Sequence, residues 1–521
     1  MHKKRAQNTV LSGAVKSVFT PAEMEAADAA TIKAGVSGWK LMLAAGKAVA
    51  QPAIDQLKKG DRICVLAGPG NNGGDGYVAA QALLERGFSV ELFALGNPAK
   101  LTGDAALARD YWTGPINSLD PASLKVAEFD LAIDALFGAG LSRDLDGAAK
   151  DVLMEASNVE ASILAVDVPS GLCGESGLPR GFAPHCDLTI TFHAKKRGHL
   201  LQPGRDLCGD VRVVDIGLLP HAKDFPTTTV FENTPALWLP LIASNFSDTH
   251  KYRRGHIGVV TGGATATGAG RLAADAASFA GVGLTTLLSP SSAALVNAAH
   301  ATGTMVKSFG KDRTIGERII DHKISTLVVG PGMGTEKAAE EALDVLVGLG
   351  GEAADVGHRN FVLDADALTI MSRDPESWFD DLPKNTVLTP HDGEFARLFP
   401  DLIKLSKVER TRQAANRAGA VVVLKGNDTV IAGSDGRVAI NANAPPWLAK
   451  AGAGDVLAGL IAAAMAQGIT PFEAACAGVW YHGQSATEMG PGLQVEALLA
   501  QAGHRLAQDF WPDLRIFPSV S

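Results

Sequence analysis

Short apolar runs that alternate with helical segments dominate this chain, and the alternation occurs twice. The first series of runs lies at residues 63–67, 90–94, 131–135, 163–168, 188–192 and 211–215. After a polar, proline-bearing stretch, a second series lies at residues 257–261, 284–288, 327–330, 361–364, 387–390 and 421–425. Apolar strands separated by helices indicate a mostly parallel sheet that helices cover on both faces. We therefore predict an α/β protein of two domains, residues 1–225 and residues 226–521.

Composition narrows the class of protein further. The chain has 521 residues, too many for one hydrophobic core, and a net charge of −9 excludes a general affinity for nucleic acid. Its five scattered cysteines argue against disulfides and structural zinc. The longest apolar run, residues 456–466, is shorter than the roughly 20 residues of a membrane span. We expect a cytoplasmic homo-oligomer without a signal peptide and without a nucleic-acid or membrane partner, and we interpret the basic runs 3–5 and 195–197 as solvated surface.

Three strand ends in the first half carry polar residues and glycines. The strand at 63–67 is followed by Gly-Pro-Gly-Asn-Asn-Gly-Gly-Asp-Gly, the next by Asp134 and a glycine-rich segment, and the third by Asp167. Ligands of open parallel sheets bind at the carboxyl ends of the strands, so these segments meet in one crevice. Gly68, Gly70 and Gly73 also fit the G-x-G-x-x-G dinucleotide pattern.

That dinucleotide pattern has a weakness here, because Asp75 and two asparagines crowd the start of the following helix. A carboxylate at this position would repel a pyrophosphate, whereas these oxygens suit hydroxyl groups or a hard cation. A standard Rossmann site and a strand-to-helix turn without any ligand remain as alternatives.

Residues 69–76, together with the predicted helix start at residues 20–24, resemble the NAD(P)H-hydrate epimerase family over about residues 15–220. The resemblance implies a Rossmann-like three-layer α/β/α sandwich. It implies that the hydrated dinucleotide is bound by Asn71, Asn72, Gly73, Gly74, Asp75, Gly138, Ala139, Gly140, Leu141, Ser142, Arg143, Asp144 and Asp167. It also implies an acid/base role for Asp167 and a potassium ion held by Asn72, Asp134 and Ser170. For Asp134 the alternative is a helix or turn cap.

The strongest motif of the second half is Ala-Gly-Ala-Gly-Asp at residues 451–455, directly before an apolar helix. The backbone N–H groups of residues 453–455 are placed to bind an anion. Asp455 at the same point suits a base that takes a proton from a hydroxyl attacking phosphorus, and the alternative is an ordinary N-cap. Further polar strand ends lie at residues 261–263, 330–334, 364–367, 389–394 and 425–429, and His391 among them is either functional or structural.

Together these segments resemble the ribokinase-like superfamily, and within it the ADP/ATP-dependent NAD(P)H-hydrate dehydratases, over about residues 226–510. The resemblance implies hydrate contacts from Ala269, Gly334, His391 and Asp455. It implies that ADP or ATP, with Mg²⁺, is bound by Lys425, Gly426, Asn427, Asp428, Thr429 and Gly454. Asp455 would deprotonate the C6 hydroxyl, which then takes the terminal phosphate. The chain departs from the family at Ala451, where a glycine is usual, and at residues 445–449.

The two resemblances predict a bifunctional enzyme that repairs hydrated nicotinamide dinucleotides. One half epimerises the R and S forms, and the other dehydrates the S form with ADP or ATP. One alternative is a vitamin or sugar kinase with a regulatory N-terminal domain. The other is an N-terminal half that acts only as a binding or scaffold module.

Overall fold

The computed structural model describes residues 14–122, 124–242, 250–350, 352–353 and 357–510. It divides into two compact units. One unit is Ser17–Val230, and the other contains the remaining described residues. Each unit is built around its own mainly parallel sheet, so the predicted α/β class with two domains is confirmed.

The unit Ser17–Val230 contains a seven-stranded sheet in which all neighbouring strands are parallel. In spatial order its strands are Ile116–Ser118, Ser89–Ala94, Arg62–Ala67, Leu131–Ala135, Ile163–Val166, Leu188–Phe192 and Asp210–Val214. The edge strand Ile116–Ser118 was not predicted, because it is short and largely exposed and therefore lacks an apolar run. A separate parallel pair joins Val18–Phe19 to Lys195–Lys196.

Alternate residues of the central strand enter two different cores. Ile63 and Val65 pack with helices on one face, whereas Cys64 and Leu66 pack with the helix Gly147–Asn158 on the other. Because strand side chains alternate between faces, this arrangement is a three-layer α/β/α sandwich. The helices of this unit are Pro21–Lys33, Gly38–Gln56, Asn71–Glu85, Gly103–Tyr111, Gly147–Asn158 and Gly204–Leu207.

The predicted helix start at Thr20 is confirmed. Thr20 is the N-cap of Pro21–Lys33, and its side chain accepts a hydrogen bond from the backbone N–H of Glu23 at 3.0 Å. The Glu23 carboxylate accepts the Thr20 N–H at 2.6 Å, which completes a capping box. This cap sets the direction of the helix that carries Asp28.

The second unit contains a ten-stranded sheet. In spatial order its strands are Val230–Glu232, Val438–Ile440, Val430–Ala432, Val421–Leu424, Thr386–Leu388, Asn360–Leu363, Thr326–Val329, His256–Val260, Leu284–Pro290 and Met305–Phe309. The seven strands from Val421–Leu424 to Met305–Phe309 are parallel, and the hairpin Val430–Ile440 continues the sheet antiparallel. Both terminal strands were missed; Met305–Phe309 is only half-buried and carries Lys and Ser in its middle.

One large core covers a face of this sheet. Val259, Val328 and Val362 pack there against Gly268–Phe279 and the three closing helices Ala453–Ala466, Pro471–Met489 and Val495–Phe510. The remaining helices are Pro235–Ile242, Ala294–His300, Ile315–Asp321, Lys337–Gly348, Asp366–Met371, Pro375–Asp381, Asp392–Leu398 and Lys407–Ala418. Glu352–Ala353 and Gly357–His358 form a small separate hairpin. Within the described part of the chain, no helix has the length and apolar character that crossing a membrane requires.

Candidate active sites

The first candidate site begins where the strand Arg62–Ala67 meets the helix Asn71–Glu85. We expected this helix to start after Gly76, but it starts at Asn71, with Gly70 as its N-cap. Packing rather than helix propensity explains the difference. A Cβ on Gly73 would lie 2.0 Å from the Gly68 carbonyl oxygen, and one on Gly76 would lie 2.6 Å from the Ala135 Cβ. The glycines therefore allow the first turns of the helix to approach the strand ends closely.

The position of Asp75 corrects one step of the sequence argument. Asp75 lies beyond the first turn of the helix, whereas Asn71 and Asn72 occupy its first two positions. It does not crowd the helix terminus as we had reasoned. Burial, reinforced by the charges of Asp167 and Asp28, raises the pKa of Asp75 well above its usual value. This carboxyl group therefore stands in a cluster of like charges.

Asp134 and Ser170 form a buried pair behind the crevice. One Asp134 oxygen accepts the Ser170 hydroxyl at 2.6 Å, and the other accepts the Ser170 N–H at 2.8 Å. The Leu136 N–H adds a weaker bond of 3.3 Å, so the predicted alternative of a turn cap describes part of the role of Asp134. Burial raises the pKa of Asp134, and the bonds from Ser170 oppose that rise.

Asn72 and Asp167 meet at Gly138. A Cβ on Gly138 would lie 3.1 Å from the side-chain oxygen of Asn72 and 3.1 Å from Oδ2 of Asp167. The side-chain nitrogen of Asn72 is buried and has no hydrogen-bond partner among the described residues. Such an atom is uncommon in folded proteins, and as an N–H donor it could bond to an acceptor atom of a bound molecule.

Asp167 is held from several directions. It adopts a left-handed backbone conformation with φ of 67°. Its Oδ2 accepts the Ala139 N–H at 2.9 Å, while Oδ1 lies 2.6 Å from the Lys196 ammonium. Burial alone would raise the pKa of Asp167, but Lys196 outweighs it and lowers that pKa to about 2. Asp167 is therefore an ionised carboxylate at neutral pH.

Sequence reasoning missed Lys196, His199 and Asp28. The interpretation of residues 195–197 as solvated surface is wrong, because Lys196 and Arg197 are buried; the run 3–5 lies outside the described residues. Burial, with the charge of Asp167, raises the pKa of Asp28 to about 6, although Lys196 opposes it. A basic residue that follows an apolar strand end was the only signal available.

The glycine-rich segment after Asp134 is divided between two environments. Gly138 and Ala139 adjoin Asp167, and the Phe137 N–H donates to the Ser170 hydroxyl at 2.8 Å. Gly140, Leu141, Ser142, Arg143 and Asp144 extend outward and are exposed or half-buried. Of the predicted substrate residues, the structure brings together Asn72, Gly138, Ala139 and Asp167, while Asn71 is exposed and Gly73 and Gly74 face the interior.

The second candidate site is centred on the start of the helix Ala453–Ala466. Gly452 is its N-cap, with φ of 88°, and Asp455 is its third residue, so the alternative of an N-cap role for Asp455 is wrong. Ala451 is not among the residues with positive φ, so the departure from glycine there is tolerated. The Ala453 N–H donates to the Lys450 carbonyl at 3.1 Å, which leaves Gly454 and Asp455, not Ala453, to offer N–H groups to an anion.

A lysine and two carboxylates surround this helix start. The Lys425 ammonium lies 2.7 Å from Oδ1 of Asp364, and a Cβ on Gly454 would lie 3.6 Å from that ammonium. Burial, followed by the charge of Asp364, raises the pKa of Asp455 to about 6, and Lys425 partly opposes the rise. Asp455 is therefore a carboxylate whose pKa is close to the pH range in which a general base is efficient.

His391 has both a structural and an exposed edge. It is the N-cap of Asp392–Leu398, where its Nδ1 accepts the Gly393 N–H at 3.0 Å. Its side chain is 57% exposed, and Nε2 lies 3.5 Å from Glu394. In the neutral ring Nε2 carries the proton, so it can donate to a ligand.

Two further predicted contacts are linked through Asp366. The Gly334 N–H donates to Oδ2 of Asp366 at 2.9 Å, and the charge of Asp366 contributes to the raised pKa of Asp455. A Cβ on Gly332 would lie 3.6 Å from the Ala269 Cβ. Gly334 therefore lies in a loop at this edge of the sheet, and Ala269 lies in the first turn of the helix Gly268–Phe279, next to the same loop.

A cavity of about 420 Å³ lies beside the helix start. Its lining includes most of the predicted nucleotide-binding residues, namely Lys425, Gly426, Asn427, Thr429 and Gly454, together with His391. Asp428 is not among the described lining residues; it forms a buried ion pair with Lys407 at 2.5 Å. Ala269, Gly334 and Asp455 are also outside the described lining.

The unusual segment at residues 445–449 forms the apolar wall of this cavity. Pro445, Leu448 and Ala449 line it together with Leu457 and Val479. The indole N–H of Trp447 donates to the Ala486 carbonyl at 2.9 Å, which holds the segment against the helix Pro471–Met489. The segment in which the chain departs from the family pattern therefore supplies part of the cavity surface and is held in place by a hydrogen bond.

Each unit is a mainly parallel α/β domain that collects glycine loops and a candidate carboxylate at the carboxyl edge of its sheet, which is where ligands bind in open α/β sheets. Two family models match the chain: one described as NAD(P)H-hydrate dehydratase over residues 257–504, and one described as YjeF-related protein N-terminus over residues 38–198.

Relatives with both halves identify the family. The bifunctional NAD(P)H-hydrate repair enzyme of Thermofilum pendens is 34% identical over 477 residues, 87% of each chain. The enzyme of the same name from Escherichia coli is 32% identical over 484 residues, 92% of this chain and 90% of that one. A ribokinase-like superfamily protein from Enterococcus faecalis matches 55% of this chain and 98% of its own with a TM-score of 0.48 and 22% identity. The chain belongs to the family of bifunctional NAD(P)H-hydrate repair enzymes.

Proposed function

We propose that residues 226–521 dehydrate (6S)-NAD(P)HX with ADP or ATP, and that residues 1–225 interconvert its R and S epimers. The dehydration yields NAD(P)H, phosphate, and AMP or ADP. The observation that carries the proposal is the position of Asp455, beside Lys425 and Asp364 and one residue after Gly454, which lines the cavity. This arrangement combines a base, a cation and free backbone N–H groups where a phosphoryl group would be transferred.

In the proposed dehydration Asp455 accepts the proton of the C6 hydroxyl group. The C6 oxygen then forms a bond to the terminal phosphorus, and the bond from that phosphorus to the nucleotide's bridging oxygen breaks. The lone pair of the ring nitrogen expels phosphate from C6, and loss of a proton from C5 restores the ring double bond. Phosphorylation converts hydroxide, a poor leaving group, into a good one.

The donor nucleotide is proposed to occupy the cavity lined by Lys425–Thr429 and Gly454, with Mg²⁺ as the counter-ion of its phosphates. Lys425 supplies a positive charge near the helix start, and the N–H groups of Gly454 and Asp455 have no backbone acceptor among the described residues. The apolar wall of Pro445, Leu448 and Val479 suits the flat face of a base. Ala269, Gly334 and His391 are proposed to hold the hydrate.

In the proposed epimerisation Asp167 acts as the acid/base at the hydrated nicotinamide ring. Its low pKa means that it is ionised at the start and can accept the proton of the C6 hydroxyl group. As that proton leaves, the C6 oxygen becomes a carbonyl and the bond from C6 to the ring nitrogen breaks; the nitrogen then attacks the other face of the carbonyl, and Asp167 returns the proton to the oxygen. Asn71, Asn72, Gly73, Gly74 and Asp75, with the segment 138–144, are proposed to hold the dinucleotide.

A potassium ion is proposed at Asn72, Asp134 and Ser170. The side-chain amide of Asn72 has a buried nitrogen without a partner, and turning that amide over would place its oxygen there instead. Asp134 adds a buried carboxylate, which the two bonds to Ser170 keep in place. When bound, the ion would supply positive charge near the anionic hydrate.

Two expectations from the sequence, a homo-oligomer and a cytoplasmic location, are also part of the proposal for the whole protein.

The deciding experiment mixes purified protein with NADHX epimers, ADP or ATP, magnesium and potassium. Asp455→Asn should abolish the recovery of NADH absorbance and leave epimerisation intact. Asp167→Asn should slow conversion of the R epimer only. A stable phosphorylated product in place of free phosphate would instead identify a kinase. Loss of both activities in either folded variant would contradict the proposed division of labour.

A further inference from the structure

The segment at residues 195–199 turns inward behind Asp167 and forms a closed set of contacts with it. Lys196 is 2% exposed, and its ammonium lies 2.6 Å from Oδ1 of Asp167. The same ammonium donates to the Thr191 hydroxyl at 2.8 Å, and that hydroxyl donates to Oδ1 of Asp167 at 3.0 Å. Lys196 therefore engages one carboxylate oxygen both directly and through Thr191.

His199 supports the backbone of the same residue. Its Nδ1 accepts the Lys196 N–H at 2.9 Å, so the neutral ring carries its proton on Nε2, which donates to the Asp167 carbonyl at 2.8 Å. Burial, and then the charge of Lys196, lowers the pKa of His199 to about 4, so the ring is neutral at pH 7. This bond stabilises the left-handed backbone of Asp167, which non-glycine residues adopt infrequently.

These contacts leave only Oδ2 of Asp167 facing the glycine segment. Oδ2 accepts the Ala139 N–H and lies 3.1 Å from the position that a Cβ of Gly138 would take. We propose that Lys196 is a positioning residue of the epimerase site, which keeps Asp167 ionised and directs Oδ2 toward the substrate, with His199 holding the backbone. This inference rests on the proposed role of Asp167.

The charges around Asp167 show why a buried cation is needed there. Asp75 and Asp28 lie near enough to interact with it, Lys196 acts on both Asp28 and Asp167, and the buried Cys208 thiol stays neutral because its pKa is raised to about 12. His199 is neutral as well. Without Lys196, burial would favour the protonated form of Asp167.

The test compares Lys196→Met with Lys33→Met, a matched control that removes an exposed Lys–Asp pair with Asp224 at 2.9 Å. Epimerisation would be measured from about pH 4.5 to about pH 8, with the uncatalysed rate subtracted, and dehydration by the same sample would report an intact chain. The wild type and Lys33→Met should share one profile, because Asp167 stays ionised in both over this range. Lys196→Met should lose kcat several-fold relative to that profile at its acid end, with little change in KM, because a protonated Asp167 cannot act as a base.

Two more variants separate charge from packing. Lys196→Arg keeps the positive charge and should restore the pH dependence of the wild type at a reduced rate. If Lys196 had only a packing role, its charge would not matter and Lys196→Met would keep the wild-type pH dependence. If Lys196→Met fails to fold, Thr191→Val removes one bond to Oδ1 with little change of shape and should show a smaller shift in the same direction. The inference would be overturned if a folded Lys196→Met variant kept the pH profile of the wild type. If Lys196→Met does not fold, an unshifted pH profile of Thr191→Val would overturn it instead. If Asp167→Asn itself epimerises normally, the proposed function of the site fails instead.

Discussion

The two proposed bases should respond differently to acid. The pKa of Asp455 is raised to about 6, first by burial and then by the charge of Asp364. The pKa of Asp167 is lowered to about 2 by Lys196, against the effect of burial. A base with a pKa near 6 is almost fully ionised at about pH 7.5 and only about one-tenth ionised at about pH 5. Dehydration should therefore slow about tenfold over this interval, while epimerisation by the same molecules should lose no rate through protonation of Asp167.

The assay follows NADH absorbance at saturating ADP and substrate, with epimer ratios measured in parallel samples that contain no nucleotide. Asp364→Asn provides an internal check, because removing the neighbouring negative charge should lower the pKa of Asp455 and move the acid limb of the profile to lower pH. A dehydration rate that is constant down to about pH 5, with chemistry rate-limiting, would refute the assignment of Asp455 as the base.

Three further outcomes follow from the packing. Gly138→Ala should slow epimerisation about tenfold or more, because the added Cβ would stand 3.1 Å from the Asp167 carboxylate, and it should leave dehydration unchanged. An epimerisation rate equal to that of the wild type would contradict this geometry. Gly459→Ala should lower the free energy of unfolding by about 1–3 kcal/mol, because its Cβ would lie 2.2 Å from a backbone oxygen of the opposing helix, and urea denaturation would measure the loss. His199 and His482 have folded pKa values of about 4 against an ordinary 6.5, so the unfolded chain binds protons first as the pH falls. These two histidines should therefore destabilise the fold as the pH falls from about 6.5 toward about 4, whereas Asp28 and Asp455, with folded pKa values of about 6, act in the opposite direction. The difference between the denaturation midpoints at pH 7 and pH 5 should therefore shift toward greater stability at pH 5 in the His199→Gln/His482→Gln variant, compared with the wild type.

The apolar pattern was sufficient to predict the central strands of both sheets. A strand buried on both faces must be apolar along its whole length, and Thr326–Val329 and Val421–Leu424 have this character. Edge strands need bury only part of their surface, which explains why Ile116–Ser118 and Met305–Phe309 were not predicted. Local chemistry also predicted the start of the helix Pro21–Lys33, because a capping box is completed within four residues.

The glycine motifs and acids at strand ends identified both candidate sites, but the sequence could not show how their side chains are engaged. The helix at Asn71 starts inside a glycine-rich stretch because its tight approach to Gly68 and Ala135 outweighs poor helix propensity. The backbone N–H of Ala453 donates to the Lys450 carbonyl and so is not available to an anion. The spacing of residues in the sequence could not predict this hydrogen bond, because it depends on the conformation of a single turn.

The sequence by itself determined the fold class and the family, and it predicted Asp167 and Asp455 as candidate carboxylates, because these depend on periodicity and on local motifs. Only the tertiary structure decided the charge environment of those carboxylates. Lys196 is far from Asp167 in the chain and looks like a surface residue, yet in the folded unit it lies in the short strand Lys195–Lys196, buried and 2.6 Å from that carboxylate. A pKa depends on burial and on charges within a few ångströms, and distances between residues remote in sequence are fixed only when the chain is folded.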